Sequence, residues 1–367
     1  MRVGFDGRWY CYSGVGNYIS ELLQAMESLE GDFEIILYED PRNPLEHVDG
    51  RRIRKVPVGA KRYSSHEQLE LARRCRNDRL DVFHSPFYVV PWFASCPVVV
   101  TVHDLIPFLF KIYSFPKEKL IQLGYRLAVK KAARVIADSE ITSSDLSQIL
   151  GVPGDKIRVV HLATSREHFH PERDAGEAGY LLTRYGVRQP YVLTLSAKNW
   201  RTKNLSVVLE ALSICRRQIG SDFQIVVVGS PDGFQNASQQ NAIEMKNVVL
   251  TGFVATADLA KLYRGAEVFL IGSRYEGFGL PLLEAMSCGC AVVCSNGGSL
   301  AEVAGAGAVL VDPDDVATMG QAVARLFCNA SERLQLQASA KNRAADFSWE
   351  AAARKTVSVY SEAAMLR

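Results

Sequence analysis

Along the chain, short runs of Val, Ile and Leu alternate with longer stretches in which apolar positions recur every three or four residues. Uninterrupted short apolar runs suit strands of a parallel sheet covered on both faces, and the longer stretches have the period of amphipathic helices. The first half predicts strands at 3–5, 33–38, 81–84, 97–102, 134–137 and 156–160, and helices at 15–29, 65–77, 116–133 and 139–150. In 15–29, Ile19, Leu22, Leu23 and Met26 share a face; in 65–77, Leu69 and Leu71 are expected to point inward. The alternation pauses over 163–190, a polar stretch with His168, His170 and Pro171 that reads as a linker plus a short helix. It resumes with strands at 191–195, 224–228, 248–251, 267–271, 291–294 and 308–311, helices at 205–219, 256–265, 280–288 and 314–328, and a helical tail. Two halves built this way imply an α/β fold of two doubly wound Rossmann-like domains. The expected boundaries are 1–170, 171–346 and a final helix over 347–367. Ligands bind beyond the strand C-termini of such sheets, so two of them facing each other would form a cleft.

The composition narrows the class. The 367 residues carry 42 Lys+Arg against 40 Asp+Glu, a net charge of +2, which argues against a surface built for nucleic acid. No run of 18 apolar residues predicts a spanning helix, and Met1-Arg2-Val3-Gly4-Phe5 has no signal-peptide core. The eight cysteines include one cluster, Cys288, Cys290 and Cys294, but no C-x-x-C pair. They read as small buried hydrophobes of a protein in a reducing, cytoplasmic compartment. Charge is uneven locally: 51–79 holds ten Lys/Arg against three Asp/Glu, and 108–134 seven against one, beginning with Phe108, Phe110, Tyr113 and Phe115. Basic and aromatic residues together suit an anionic bilayer surface, hence peripheral attachment to the inner face of the plasma membrane.

The strongest chemical signal is Arg274-Tyr275-Glu276-Gly277-Phe278-Gly279-Leu280-Pro281-Leu282-Leu283-Glu284, between a strand and a helix. Gly277 and Gly279 let backbone approach a ligand, and the helix behind Leu280 and Pro281 offers free N–H groups to a phosphate. Glu284 is placed to meet a ribose hydroxyl pair and Glu276 stands at the mouth. This pattern fits a nucleotide sugar. Ser13-Gly14-Val15-Gly16 follows the first strand; a dinucleotide loop would need a third glycine where Ile19 stands, which counts against a dehydrogenase. Lys198-Asn199-Trp200-Arg201-Thr202-Lys203-Asn204 sets three cations ahead of a helix, and His103-Asp104 and His84-Ser85-Pro86 end strands. Asp312-Pro313-Asp314 reads as a helix cap at Asp314 rather than a metal site.

The stretch from Glu276 to Glu284 resembles the E-x7-E motif of retaining glycosyltransferase family 4, which has the GT-B fold. Leu262-Tyr263-Arg264-Gly265-Ala266, Phe347-Ser348-Trp349, Ser13-Gly14-Val15-Gly16-Asn17-Tyr18 and Thr101-Val102-His103-Asp104-Leu105-Ile106-Pro107 extend the likeness over nearly the whole chain. The last two, with His84-Ser85-Pro86, resemble bacterial mannosyltransferases that build surface polysaccharides. The resemblance implies an acceptor-binding first domain and a second domain for the nucleotide sugar. It implies that Lys203, with Arg201 or Lys198 in the part of the family's arginine, holds the donor diphosphate. His103 would contact the donor sugar, Gly14 and Gly16 would lie across the cleft from the donor phosphates, and Phe253 and Val254 would meet the base through backbone. Gly277, Phe278, Gly279, Leu280 and Glu284 complete the donor site, Glu276 orients the sugar, and His84 and Asp104 are acceptor-side candidates. The implied reaction is metal-independent hexosyl transfer with retention, from GDP-mannose to a saccharide or lipid-linked saccharide. UDP- or TDP-sugar donors, a nucleotide-sugar epimerase and a non-catalytic binding subunit are the alternatives.

Overall fold

The uninterrupted apolar runs become the central strands of two parallel sheets. The computed structural model describes residues 1–10, 13–46, 48, 50–220, 222–241 and 247–366. Contacts divide the chain into two units, Met1–Leu162 with Ser348–Arg367, and Ala163–Phe347.

In the first unit β1 (Arg2–Asp6), β2 (Glu34–Glu39), β3 (Ile53–Pro57), β4 (Val82–Ser85), β5 (Val98–Val102), β6 (Arg134–Ala137) and β7 (Ile157–Val159) pair in the order β3-β2-β1-β4-β5-β6-β7. Their connections carry α1 (Ser13–Glu27), α2 (Ser65–Asn77), α3 (Ile106–Leu109), α4 (Phe115–Lys131) and α5 (Glu140–Leu150). In the second unit β8 (Tyr191–Ser196), β9 (Gln224–Gly229), β10 (Val248–Gly252), β11 (Val268–Ile271), β12 (Val292–Ser295) and β13 (Val309–Val311) pair in the order β10-β9-β8-β11-β12-β13. Its helices are α6 (Glu177–Tyr185), α7 (Leu205–Ile219), α8 (Pro231–Asn241), α9 (Thr256–Gly265), α10 (Leu280–Ser287), α11 (Leu300–Ala304), α12 (Val316–Cys328) and α13 (Ala330–Ala344). The last helix, α14 (Trp349–Ala364), belongs to the first unit, where it packs on α1, β4 and β5 and buries Ala352, Thr356, Val359 and Tyr360. Strand order reverses between β1 and β4 and again between β8 and β11, and each reversal opens a crevice at the strand C-termini.

Several elements depart from the hydrophobic pattern. β3 reads Ile-Arg-Lys-Val-Pro and lies at a sheet edge, where only Ile53 and Val56 are buried; a charged edge strand shows no apolar run. α8 is polar except for Phe234 and Ala237, which lie three residues apart on its one buried face. Leu69 does not point inward: it is 61% exposed while Leu71 is fully buried, because residues two apart on a helix face nearly opposite directions. The cap of α12 is Asp315, whose carboxylate accepts from the Thr318 N–H, and not Asp314. Cys75, Cys96, Cys215, Cys288, Cys290 and Cys294 are buried cysteines outside any disulfide, Cys328 is exposed, and Cys11 lies outside the described residues. Burial pushes the Cys288 and Cys294 thiols up to about 12, as inert apolar packing requires. Among the described residues no helix is long and apolar enough to cross a membrane.

Candidate active site

The crevice between β8 and β11 gathers the chemistry of the second unit. The segment after β8 is wound into tight turns: Lys203 N–H donates to the Asn199 carbonyl, Asn204 N–H to Arg201 and Leu205 N–H to Trp200. Asn204 adopts a left-handed conformation (φ 54°) to start α7, and its side chain donates to the Pro313 carbonyl at 2.6 Å. From across the crevice, Arg274 N–H donates to the Thr202 carbonyl at 2.9 Å. This stitching delivers Lys203 to Glu276. The ammonium lies 2.6 and 2.8 Å from the two carboxylate oxygens, and the Ser273 hydroxyl donates to the same carboxylate at 2.6 Å. Glu276 is 8% exposed, while the Lys203 side chain keeps a third of its surface open. An ammonium has three protons, so one remains for a ligand after Glu276 has taken two. Arg201 is exposed, with its guanidinium 5.2 Å from the Trp200 ring centroid, and Lys198 is exposed as well.

The turn after Glu276 is closely packed. Gly279 has φ 105°, and a Cβ there would lie 2.7 Å from Leu300, so only glycine fits before α10. Phe278 is buried edge-on against Phe347. With glycine at its N-cap, α10 has no side-chain cap over its first turn, where backbone donors and the positive dipole end gather. Glu284 sits further along α10, and among the described residues its carboxylate has one hydrogen bond, from the Tyr263 hydroxyl at 3.3 Å. Burial raises its carboxyl to about 7, and that weak hydrogen bond offsets little of the rise.

A second support under this turn was missed from sequence. Gly298 has φ 60° and packs so closely that a Cβ would lie 2.7 Å from both the N and O of Glu276. Ser299 donates its N–H to the Glu276 carbonyl, and its hydroxyl lies 2.9 Å from that carbonyl and 2.7 Å from that of Phe278. The Gly297-Gly298 pair behind β12 was the available signal. Phe253 and Val254 follow the edge strand β10; Phe253 is 77% exposed and Val254 half-buried. Asp312 accepts from the Asp314 N–H, and Asp314 pairs with Arg274.

The remaining candidates are on the first unit. Gly14 and Gly16 lie in the first turn of α1; space around Gly14 is open, whereas a Cβ on Gly16 would strike the Tyr10 carbonyl. His103 Nδ1 lies 2.7 Å from Asp138 and Nε2 lies 3.0 Å from the Pro86 carbonyl, with the Tyr18 ring against its edge. A carbonyl only accepts, so Nε2 carries a proton. Burial acts to lower the His103 pKa, but Asp138 and the Pro86 carbonyl outweigh it and raise the pKa. Asp104 accepts from the Ile106 N–H at the start of α3. His84 is not an acceptor-side residue in this structure. It is fully buried, between Thr101 (2.8 Å) and the Tyr360 hydroxyl of α14 (2.6 Å), and burial pushes its pKa down to about 3. It is a neutral core histidine.

Comparison with known proteins supplies the family. The model of Glycosyltransferase Family 4 matches residues 12–167, and that of Glycosyl transferases group 1 matches residues 186–343. The chain is a family 4 glycosyltransferase. Its two Rossmann-like units are those of the GT-B fold. This glycosyltransferase is 26% identical to the O-antigen chain mannosyltransferase B of Escherichia coli, over 96% of either chain. It is 27% identical to the serotype-specific mannosyltransferase WbdA of E. coli, over 71% of its own length but 32% of WbdA. Solved structures of the same fold include Anabaena HepE in complex with UDP and glucose (TM-score 0.77, 17% identity, 99% and 100% of the two chains). Sucrose-phosphate synthase from Thermosynechococcus elongatus is another (TM-score 0.76, 19% identity, 99% and 98%).

Proposed function

We propose that this glycosyltransferase moves mannose from GDP-mannose, with retention, to a saccharide acceptor that is lipid-linked, in the building of a surface polysaccharide. The observation that carries the reading is the Lys203–Glu276 pair beside the uncapped start of α10, at the crevice where the second sheet reverses. In the reading, the open proton of Lys203 and the α10 N-terminus meet the departing diphosphate, with Arg201 or Lys198 adding a second cation. Donors fixed in this way stabilise charge that develops as the sugar leaves, each by about 10²–10³ in rate. Glu276, held by Lys203 and Ser273, orients sugar hydroxyls rather than attacking, and the acceptor enters from the same face as the leaving group. Glu284 receives the ribose hydroxyls, and Phe253 and Val254 border the base. No metal has a step in this scheme. The mannosyltransferase relatives support the donor sugar.

The second reading is a UDP-sugar donor, favoured by the UDP-bound HepE of the same fold. Calorimetric titration with GDP, UDP, ADP and TDP in EDTA separates the two. Tight binding of GDP alone supports the mannosyl reading without metal, preference for UDP or TDP moves the donor, and binding of none removes the proposal. Attachment to an anionic membrane belongs to the same reading. Phe115 (73% exposed) and Tyr113 stand among the lysines of α4 and the segment before it, whereas Phe108 packs on the core and Arg54 is paired with Asp78. Anionic vesicles should bind the protein in low salt and release it in high salt.

A further inference from the structure

The first unit contains a pocket that the donor chemistry does not use. It has a volume of about 730 Å³, within the range of small-molecule sites, and lies between the start of α2, the segment after β4 and α4. α4 explains why it is there. One face of the helix, with Ile121, Tyr125, Ala128 and Val129, packs into the core. A second apolar stripe, Leu120, Leu123 and Leu127, lines the pocket instead. Leu120 is 70% and Leu123 49% exposed, an arrangement that costs solubility unless something apolar covers it. The opposite wall is aromatic: Tyr63, Tyr88 and Trp92. Gly124 lets Tyr88 lie against α4, where a Cβ would come within 3.1 Å of its ring. Tyr63 holds a left-handed backbone (φ 63°), which is strained for a bulky side chain, and its N–H is fixed by Glu67 at 2.7 Å.

Charge selects the occupant. Glu67 is the acid in the lining, and it is buried against Arg8 at 2.8 Å, so it presents no uncompensated charge. Lys117 lines the pocket, and Lys111 and Lys119 are exposed in the same segment, with Glu118 as its one acid. We infer that the pocket takes the hydrocarbon chain of an anionic amphiphile, the lipid tail of the acceptor, with Lys117 meeting its phosphate. This rests on the lipid-linked acceptor proposed above.

Trp92 provides a direct readout, since a chain-brominated decyl phosphate that enters the pocket quenches it. The full chain should show saturable, one-to-one quenching below the micelle concentration, lost in Trp92→Phe. Decyl maltoside should bind at least tenfold more weakly, and inorganic phosphate should not compete. Leu123→Glu should weaken decyl phosphate binding at least tenfold while thermal unfolding stays cooperative, and Lys117→Glu should do so for decyl phosphate but not for decyl maltoside. Unsaturable quenching, equal affinity in Leu123→Glu, or binding to anionic vesicles alone overturns the pocket. Transfer assays separate the two ideas. If chain-bearing and chain-free acceptors react alike although decyl phosphate enters, the acceptor assignment fails. If the chain speeds transfer equally in wild type and Leu123→Glu, the pocket fails and the lipid-linked acceptor stands.

Discussion

Glu276 and Glu284 are both carboxylates of one motif, but their surroundings make them different reagents. Glu276 is paired with Lys203 and Ser273, whereas the Glu284 carboxylate is buried and, among the described residues, has one long hydrogen bond. Glu276→Ala should therefore cut turnover by about 10²-fold or more with nucleotide affinity largely kept, measured by steady-state rates beside calorimetry. For Glu284 the consequence is pH dependence. In the proposed role its carboxyl must be ionised to accept two ribose hydroxyls, and burial raises its pKa to about 7. Nucleotide affinity should fall as pH drops below 7, approaching about tenfold per pH unit, while Glu284→Gln binds weakly with no such slope. Stability has a definite sign as well. The unfolded carboxyl ionises first, near 4.5, so wild-type stability relative to Glu284→Gln should fall as pH rises from 4.5 to about 7. His84 gives a structural test: Tyr360→Phe leaves Nδ1 of a buried ring without its partner, and urea unfolding should show a loss of about 1–3 kcal/mol with nucleotide binding unchanged.

At the scale of elements, a turn is only as rigid as the backbone beneath it. The Glu276–Gly279 segment rests on Gly298 and Ser299 behind β12. Gly298→Ala introduces a Cβ where none fits and strains a left-handed residue, so it should lower turnover at least tenfold while far-UV circular dichroism stays native. The central strands and amphipathic helices were legible because apolar runs and helical period are local properties. Lys203 and Glu276 were legible as neighbours of predicted strand ends, and the structure brings those two together, whereas Glu284 was legible as a carboxylate one turn into the helix that follows. β3 and α8 were not, since one is a charged edge and the other a mostly polar helix. The burial of His84 was illegible for another reason: a strand-end histidine looks the same in sequence whether it faces a ligand or a tyrosine 276 positions away. The support of Glu276 by Ser299 is likewise non-local.

At the scale of the molecule, the family was readable because its motifs are spread over both halves, and the pocket beside α4 was not, because it needs α2 and the segment after β4 as well. The chain passes from the first unit to the second after Leu162 and returns after Phe347. α14 then covers β4 and β5 and supplies Tyr360 to His84. Removing 348–367 should leave the first unit without that cover, so the truncated protein should unfold in two steps by calorimetry, the second unit last. The order in which residues leave a ribosome gives this return a further consequence. The first 162 residues are made early, yet the helix that completes their unit is made only after the second unit. The second unit therefore has all of its sequence outside the exit tunnel before the first unit can close. A break in translation near residue 347 would leave a finished second unit attached to an open, apolar partner, a species that chaperones hold and proteases remove.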